Sequence, residues 1–468
     1  MSAFPRAACA IAANAKRAKK FMNHLQLQAG AAQIDITPQP GVQLAGSLLG
    51  VTSTHVQDPL RARAIVLEAG STRIAFVLLD VILITNDDAT RARELIGAAS
   101  GVLPENVCIS CTHNHSGPSM TDAFNTPRNA EYIAWMLPRA AEAARQATEN
   151  LQPARAAWGI GQETQAAFNR RFHMQDGSVK MNPGICNPEI IRAAGPTDPQ
   201  LPALLLSTRD GKPLAALTNF SLHYIGDQPG GAISADYFGA FAAEMQKRHG
   251  DDFVALLTHG FSGDINAIDV RGEEKLPHNE KSRRLAARLA NEMDRLWRES
   301  KFHDEVFIGS TRAFLNIGVR KISGAQIEEN KAIAADQTLS ETERIYARER
   351  LALLDWPGEF PVEVQALRVG DFAAVAVTSQ MFCRFGMDLK FASPFPVTTP
   401  IEHANGCSGY VATQTDYALG SYETELARSS FAASGSGEKI VTLGAQLLRE
   451  LAREHPVQRR AFTNDLPA

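Results

Sequence analysis

The sequence predicts an α/β protein of the mixed α+β kind, with mixed β-sheets packed together and helices on their outer faces. Three observations predict it. From Ala31 onward, short β-rich runs alternate with longer stretches of helical periodicity, the pattern of helices laid over sheets. Several neighbouring strand candidates are joined by turn residues, Glu68-Ala69-Gly70-Ser71, Arg209-Asp210-Gly211-Lys212 and Gly370-Asp371, so those pairs read as antiparallel hairpins within mixed sheets. The 468 residues, 44% hydrophobic and 21% charged, suffice for a large core and exclude disordered, collagenous and coiled-coil classes.

In chain order, residues 1–30 read as a leader that does not join the fold, with Met22 a candidate start, because the apolar run at the N-terminus stops at Lys16 and its basic residues lie on the wrong side for a signal peptide. Strand candidates follow at 31–36, 62–68, 73–79, 106–112, 155–161, 203–207, 213–220, 253–259, 305–314, 362–369 and 372–378, each β-rich and bounded by turn residues. Helices are expected at 87–99, 130–149, 238–248, 280–299, 326–355 with a break at Thr338, and 438–453. Residues 176–200 are rich in Gly, Pro and Asn without periodicity and read as a long surface loop. The sequence thus predicts one large domain over 31–455, a short tail over 456–468, and no further domain after it.

Net charge is −4, and no basic block exceeds Lys16-Arg17-Ala18-Lys19-Lys20, which argues against a nucleic-acid partner. The longest apolar run, Ile74 to Ile84, is interrupted by Asp80 and is far short of the ~20 residues of a membrane span, so no integral membrane association is expected. Six scattered cysteines make no disulfide framework, and a reducing cytoplasm is the expected location.

Chemistry concentrates at strand exits. Cys108-Ile-Ser-Cys111-Thr-His113-Asn-His115-Ser116-Gly117-Pro118 follows one strand; histidines two apart on an extended segment point the same way, toward one metal or pocket, or into a hydrogen-bonded strand end. Cys108 and Cys111 offer an alternative thiolate pair. Asn219-Phe220-Ser221-Leu222-His223 leaves a second strand, and Ser234 and Asp236 stand where a helix N-cap is expected. His259-Gly260-Phe261-Ser262-Gly263-Asp264-Ile265-Asn266 leaves a third, its glycines suited to an oxyanion or to a tight turn.

Taken together, Ile34-Asp35-Ile36-Thr37-Pro38, Asp58-Pro59-Leu60, Thr112-His113-Asn114-His115-Ser116-Gly117-Pro118, Asn169-Arg170, Asn219 to His223, Ser234-Ala235-Asp236, Gly263-Asp264-Ile265 and Gly409-Tyr410-Val411 to Tyr422-Glu423 resemble, in order, the catalytic domain of the neutral ceramidase family. The resemblance implies that family's fold and a zinc-dependent amidohydrolase, with one Zn2+ per chain, that cuts an N-acyl amide bond by metal-activated water. It implies metal ligands at His113, His223, Gln380 and Tyr410, and catalytic roles for His115, Arg170, Tyr422 and Asp264.

Two departures stand out. Gln380, in Thr378-Ser379-Gln380-Met381-Phe382, occupies the place of the family's ligand Glu, and a neutral amide is a weaker zinc ligand than a carboxylate. Glu402 and His403 are the residues that can supply the missing group. Asn266 stands where ceramidases carry a serine, which argues against a covalent serine mechanism, and Ser262 has no base the sequence identifies. With no amphipathic membrane anchor visible, the expected partner is a small, soluble N-acyl substrate rather than bilayer ceramide. The alternative is a metal-poor, catalytically silent relative that binds a ligand in the same pocket. A phosphate- or sulfate-ester hydrolase would want more carboxylates at these exits.

Overall fold

The computed structural model describes residues 26–272, 274–455 and 457; most of the expected leader and nearly all of the expected tail lie outside the described residues. The large sheet is built from β1 (Leu27–Asp35), β2 (Arg61–Ala69), β3 (Thr72–Leu79), β4 (Val107–Cys111), β5 (Gln152–Gln162), β6 (Gln200–Thr208), β7 (Pro213–Phe220) and β8 (Val254–His259), in the order β8-β7-β6-β5-β1-β2-β3-β4. The second sheet runs β9 (Ile308–Gly318), β10 (Glu359–Val369), β11 (Phe372–Val377) and β12 (Val397–Ile401) in sequence order. The helices are α1 (Asn86–Ser100), α2 (Ala130–Glu149), α3 (Asp236–His249), α4 (Glu280–Glu299), α5 (Ala325–Ala335), α6 (Glu341–Ala352), α7 (Cys383–Ala392), α8 (Gln414–Leu419) and α9 (Ser436–Glu454). Among the described residues no helix is long and apolar enough to cross a membrane.

The alternation of side chains along each strand sorts them into layers. Ile65 and Leu67 of β2, with Phe76 and Leu78 of β3, pack toward Leu367, Phe372, Ala374 and Val397 of the second sheet. Ala64 and Val66, with Ala75 and Val77, face the opposite way onto Ala92 and Ile96 of α1 and Met136 and Leu137 of α2. Phe238 and Phe241 of α3 and Leu285, Leu289 and Met293 of α4 cover the other half of the large sheet, while α7 and α9 cover the second. The result is the predicted pair of mixed sheets with helices outside.

Most contacts in the sheets are antiparallel, but β3/β4, β7/β8 and β11/β12 are parallel. A parallel pair needs a crossover, supplied by α1, α3 and α7 respectively, and the exits at the carboxyl ends of such pairs are where side chains can converge on a ligand. Backbone bonds sew these exits together: Cys111 N–H donates to His403 O (3.1 Å), Glu402 N–H to His259 O (3.1 Å) and Asn405 N–H to Ile109 O (2.7 Å).

Several boundaries differ from expectation. The first strand begins at Leu27, because β1 pairs with β2 along its full length from Leu27↔Ala69 to Asp35↔Arg61. Residues 176–200 are not simply a loop: Val179–Met181 and Ile190–Ala193 flank Arg171–Met174 in a small antiparallel sheet. The expected helical break is real, and α6 restarts at a capping box in which Ser340 and Glu343 satisfy each other's backbone. Cys108 and Cys111, three apart on β4, fall on opposite faces, one in the inter-sheet core and one under the helices, so they form no thiolate pair.

The edge of β4 is closed by a buried ion pair. Arg93 of α1 donates to both carboxylate oxygens of Glu363 on β10 (2.8 Å each) and to Val107 O (2.9 Å). Removing one member strands the other charge. Arg93→Met is therefore expected to lower unfolding stability by about 3 kcal/mol in urea melts, near the low end for breaking a buried pair because Arg312 also approaches Glu363. A loss below about 1 kcal/mol would show that Arg312 takes over the partnership.

Candidate functional site

Three histidines meet where the parallel strands end. His113 follows β4 in a left-handed conformation (φ 57°), not on an extended segment as the sequence suggests. The turn brings His113 Nε2 to 3.4 Å from His115 Nε2, and His223, leaving β7, places its Nε2 3.3 Å from His115 Nε2. The His113 Nδ1–H donates to Ile82 O (2.8 Å), which leaves Nε2 as the lone-pair nitrogen. His115 lies flat on Tyr224, ring centroids 3.9 Å apart. Its seat requires Gly46, since a Cβ there would stand 2.1 Å from His115 Nδ1.

The loop after His223 is fixed by Asp236, the first residue of α3 (φ 56°), whose carboxylate accepts from the N–H groups of Ile225 (3.2 Å), Gly226 (2.8 Å) and Tyr237 (2.6 Å). The start of α3 is capped from outside by Asp58, which accepts from Ser234 Oγ (2.6 Å) and Ala235 N–H (2.7 Å). Burial pushes the Asp58 carboxyl from 3.8 up to about 6. An acid that holds its proton more tightly in the fold contributes stability below its unfolded value, and that contribution is lost as the pH rises through the folded value. Asp58→Asn keeps an acceptor for Ala235 and is expected to flatten the decline of Tm between the unfolded value and about pH 6. Superimposable slopes in wild type and variant would contradict this.

Gln380 enters beside the histidines. The two-residue strand Gln380–Met381 pairs with Tyr410–Val411 in parallel, Gln380 opposite Tyr410. The Gln380 amide donates to His223 Nδ1 (3.1 Å) and approaches His113 Nε2 (3.4 Å). Burial, the neighbouring histidines and Arg170 hold His113, His115 and His223 well below the ordinary histidine range, so all three are neutral near pH 7, the form that ligates metal.

Tyr410 and Tyr422 meet edge to face, centroids 5.9 Å apart, at the wall of the site. Arg170 sits behind them: its Nε donates to Glu423 (2.7 Å) and its Nη2 to Gly263 O (2.7 Å) and Tyr410 Oη (3.1 Å). A cavity of about 570 Å³ opens above, with His113, His115, Gln380, His403, Tyr410 and Tyr422 among its lining and Ile82, Met120, Phe124, Trp356, Phe360 and Phe431 as apolar walls.

The expected site residues therefore separate. His113, His115, Gln380, Tyr410 and Tyr422 face one cavity, and His223 stands against them from behind. Arg170 is spent on Tyr410 and Glu423 rather than aimed into the cavity. Asp264 is not at the cavity; its carboxylate accepts from Asn169 Nδ2 (2.6 Å) and from the first N–H of α7, Cys383 (2.7 Å), and burial raises it to about 6. In this position it caps the start of α7. Asn266 donates to Asn182 Oδ1 (2.6 Å), also away from the cavity.

Two features were not legible beforehand. Ser262 does have a neighbouring base, His259, with Oγ 3.2 Å from Nε2, but both are fully buried and neither lines the cavity. His403, also left-handed (φ 49°), stacks on His113 at 3.9 Å.

As a metal site, the first cluster fits. Histidine nitrogens 3.3–3.4 Å apart match the edge of a tetrahedron with the ~2.0–2.1 Å Zn–N bonds usual for imidazole. Of the expected ligand set, His113 and His223 lie in this group together with His115, Gln380 brings an uncharged amide hydrogen-bonded to His223, and Tyr410 Oη accepts from Arg170.

A sandwich of two mixed sheets flanked by helices, with a histidine cluster at the carboxyl ends of its parallel strands, is the class this chain defines. Within that class its fold is that of the neutral ceramidases. The crystal structure of neutral ceramidase from Pseudomonas aeruginosa superposes with a TM-score of 0.71 at 19% identity, over 93% of this chain and 76% of that one. A ceramidase complexed with C2 gives 0.71 at 18%, over 95% and 78%. No protein-family model and no curated protein sequence matches the chain. The likeness read from the motifs thus holds at the level of the fold.

Proposed function

We propose that this chain is a zinc-dependent hydrolase of N-acyl amide bonds, acting on a small-molecule substrate. The observation that carries the reading is a cluster of three neutral imidazoles, two of which, His113 and His115, line an apolar-walled cavity of about 570 Å³ with His223 directly behind them, within the usual size of a small-ligand site. The ceramidase fold supports it. His113, His115 and His223 are the residues that would hold the metal, and a bound zinc ion supplies Lewis acidity and a nucleophile at neutral pH. The apolar walls, Phe124, Trp356 and Phe431 among them, take the acyl chain and exclude water from the floor. Tyr422 and Tyr410, both in the cavity wall, are the hydroxyl donors this reading assigns to a carbonyl oxygen that gains charge, and Arg170 holds Tyr410 by donating to its Oη.

Tyr422→Phe removes one such donor and is expected to lower kcat by about 100-fold with KM changed only a few-fold. An unchanged kcat would remove Tyr422 from the mechanism. The reading as a whole is tested with purified protein, stripped and then reloaded with zinc, on N-acyl amides of graded chain length beside matched esters. Amide turnover restored by zinc is expected; absence of turnover from the loaded protein overturns it.

One observation favours a second reading, a silent ligand-binding relative. The Gln380 amide satisfies His223 by a hydrogen bond, so part of the cluster is stable without an ion. That reading predicts ligand binding in the same cavity without turnover.

A further inference from the structure

The histidine cluster at the cavity floor has a neighbour that the hydrolase reading leaves unused. His259 ends β8, and Glu402 and His403 follow β12; the three offer ligand atoms that all lie within 4.8 Å of one another, and all three side chains are buried. We propose that His259, Glu402 and His403 form a second divalent-cation site, distinct from the His113–His115–His223 cluster and adjoining it through the stacked rings of His113 and His403.

Two observations point to an ion there. The first is His403: its ring is 1% exposed, yet neither Nδ1 nor Nε2 has a hydrogen-bond partner. Leaving such a polar group buried and unpaired costs about 1–3 kcal/mol, and natural folds rarely keep one without a use. The second is the contact between His259 Nδ1 and Glu402 Oε1. They are 2.7 Å apart, but the direction is not that of a hydrogen bond, and Nδ1 is left without a partner. A metal with bonds of ~2.0–2.2 Å sets neighbouring ligand atoms ~3.3–3.6 Å apart in a tetrahedron, so an ion entering here would draw these two atoms apart by somewhat under ~1 Å.

The rest of the environment holds the ligands in place. Glu402 Oε1 accepts from Ser262 N–H (3.2 Å) and Oγ (3.0 Å), and Oε2 from Met381 N–H (2.7 Å), which fixes the carboxylate from behind. His403 is held in a left-handed backbone conformation (φ 49°), a strain of the kind that folds keep at functional positions. Burial keeps His259 and His403 neutral, as ligands must be. Two imidazoles and one carboxylate suit zinc or another borderline first-row ion, not calcium or magnesium, which prefer oxygen. Gln380 leaves the first cluster without a carboxylate, and Glu402 supplies one to the second. This proposal does not depend on the hydrolase reading.

The test is zinc stoichiometry by elemental analysis and the zinc-induced shift in Tm, measured on the full chain after chelation and reloading. Four proteins are compared: wild type, His223→Ala, His403→Asn and the His223→Ala/His403→Asn double variant. Asn is chosen at 403 because it tolerates the left-handed conformation. One zinc retained by His223→Ala and lost in the double variant is the expected result, with His403→Asn one ion short of wild type. Glu402→Gln, which keeps the residue's shape, should lose the same ion. Wild-type zinc content in both His403→Asn and Glu402→Gln overturns the second site. A His223→Ala protein that binds no zinc at all also overturns it, even if the His403 variants fail to fold. Wild-type zinc content in His223→Ala with loss in His403→Asn would instead refute the first cluster and leave the second standing.

Discussion

His113→Asn is expected to abolish amide hydrolysis, by at least about 1,000-fold in kcat/KM, and to release the metal held by the first cluster. The size follows from what one ligand supports: without a bound ion the site loses both carbonyl polarisation and its nucleophile, a loss of several kcal/mol in the transition state. His113 is the member most tightly specified, with Nδ1 donating to Ile82 O (2.8 Å) and its ring stacked on His403 at 3.9 Å. Asn is a better replacement than Ala because φ at this position is 57°. A non-glycine residue without a short polar side chain carries a penalty of ~1–2 kcal/mol there, and a folding defect would then mimic a catalytic one. Zinc content and turnover should be measured on the same preparation, alongside its thermal melt. Retained turnover with native stability would place the chemistry elsewhere.

The second large effect is a gain. Gln380→Glu is expected to tighten zinc binding by about 10–100-fold, the range over which a carboxylate beside a ligating imidazole changes affinity. The side chain is already in position, 3.1 Å from His223 Nδ1 and 3.4 Å from His113 Nε2, so the substitution changes charge and donor type but not reach. A carboxylate there accepts a hydrogen bond from His223 Nδ1–H or binds the ion itself; either strengthens the site. Competition titration against a chromophoric chelator gives the affinity. If zinc binding tightens and amide turnover appears only in the variant, the silent reading is right for wild type. If neither changes, Gln380 is not part of the metal environment.

How much of this was legible follows from how local each signal is. The strand exits carrying His113 and His223 announce themselves, because each pairs a short β-rich run with a polar cluster, whereas Tyr410 and Tyr422 enter only through the likeness to the ceramidase motifs. That His113 and His115 share a pocket follows from their spacing, but the route does not: they meet through a left-handed turn at His113 that no periodicity encodes, not along an extended segment. The stacking of His403 on His113 depends on a second such turn. Helix α7 was missed for a related reason: Cys383-Arg-Phe-Gly-Met-Asp carries no capping residue of its own, and its first N–H is satisfied by Asp264, 119 residues earlier. Asp264 entered the expected site through the ceramidase likeness, and its partners Asn169 and Cys383 lie far from it in the sequence. The capping box at Ser340 and Glu343, by contrast, is complete within four residues, and the break it marks was read correctly.

The three parallel seams have a kinetic consequence. The residues of the histidine cluster come from the exits of β4 and β7, Gln380 follows β11, and backbone bonds such as Cys111 N–H to His403 O tie these exits across both sheets. Contacts this distant in sequence form only after long loops have closed, which makes them late events in folding. The two halves of the large sheet must join before His113 and His115 meet His223, and the second sheet must dock before Gln380 reaches them. Metal present during refolding then acts on the finished fold, slowing its unfolding while leaving the rate of its formation alone.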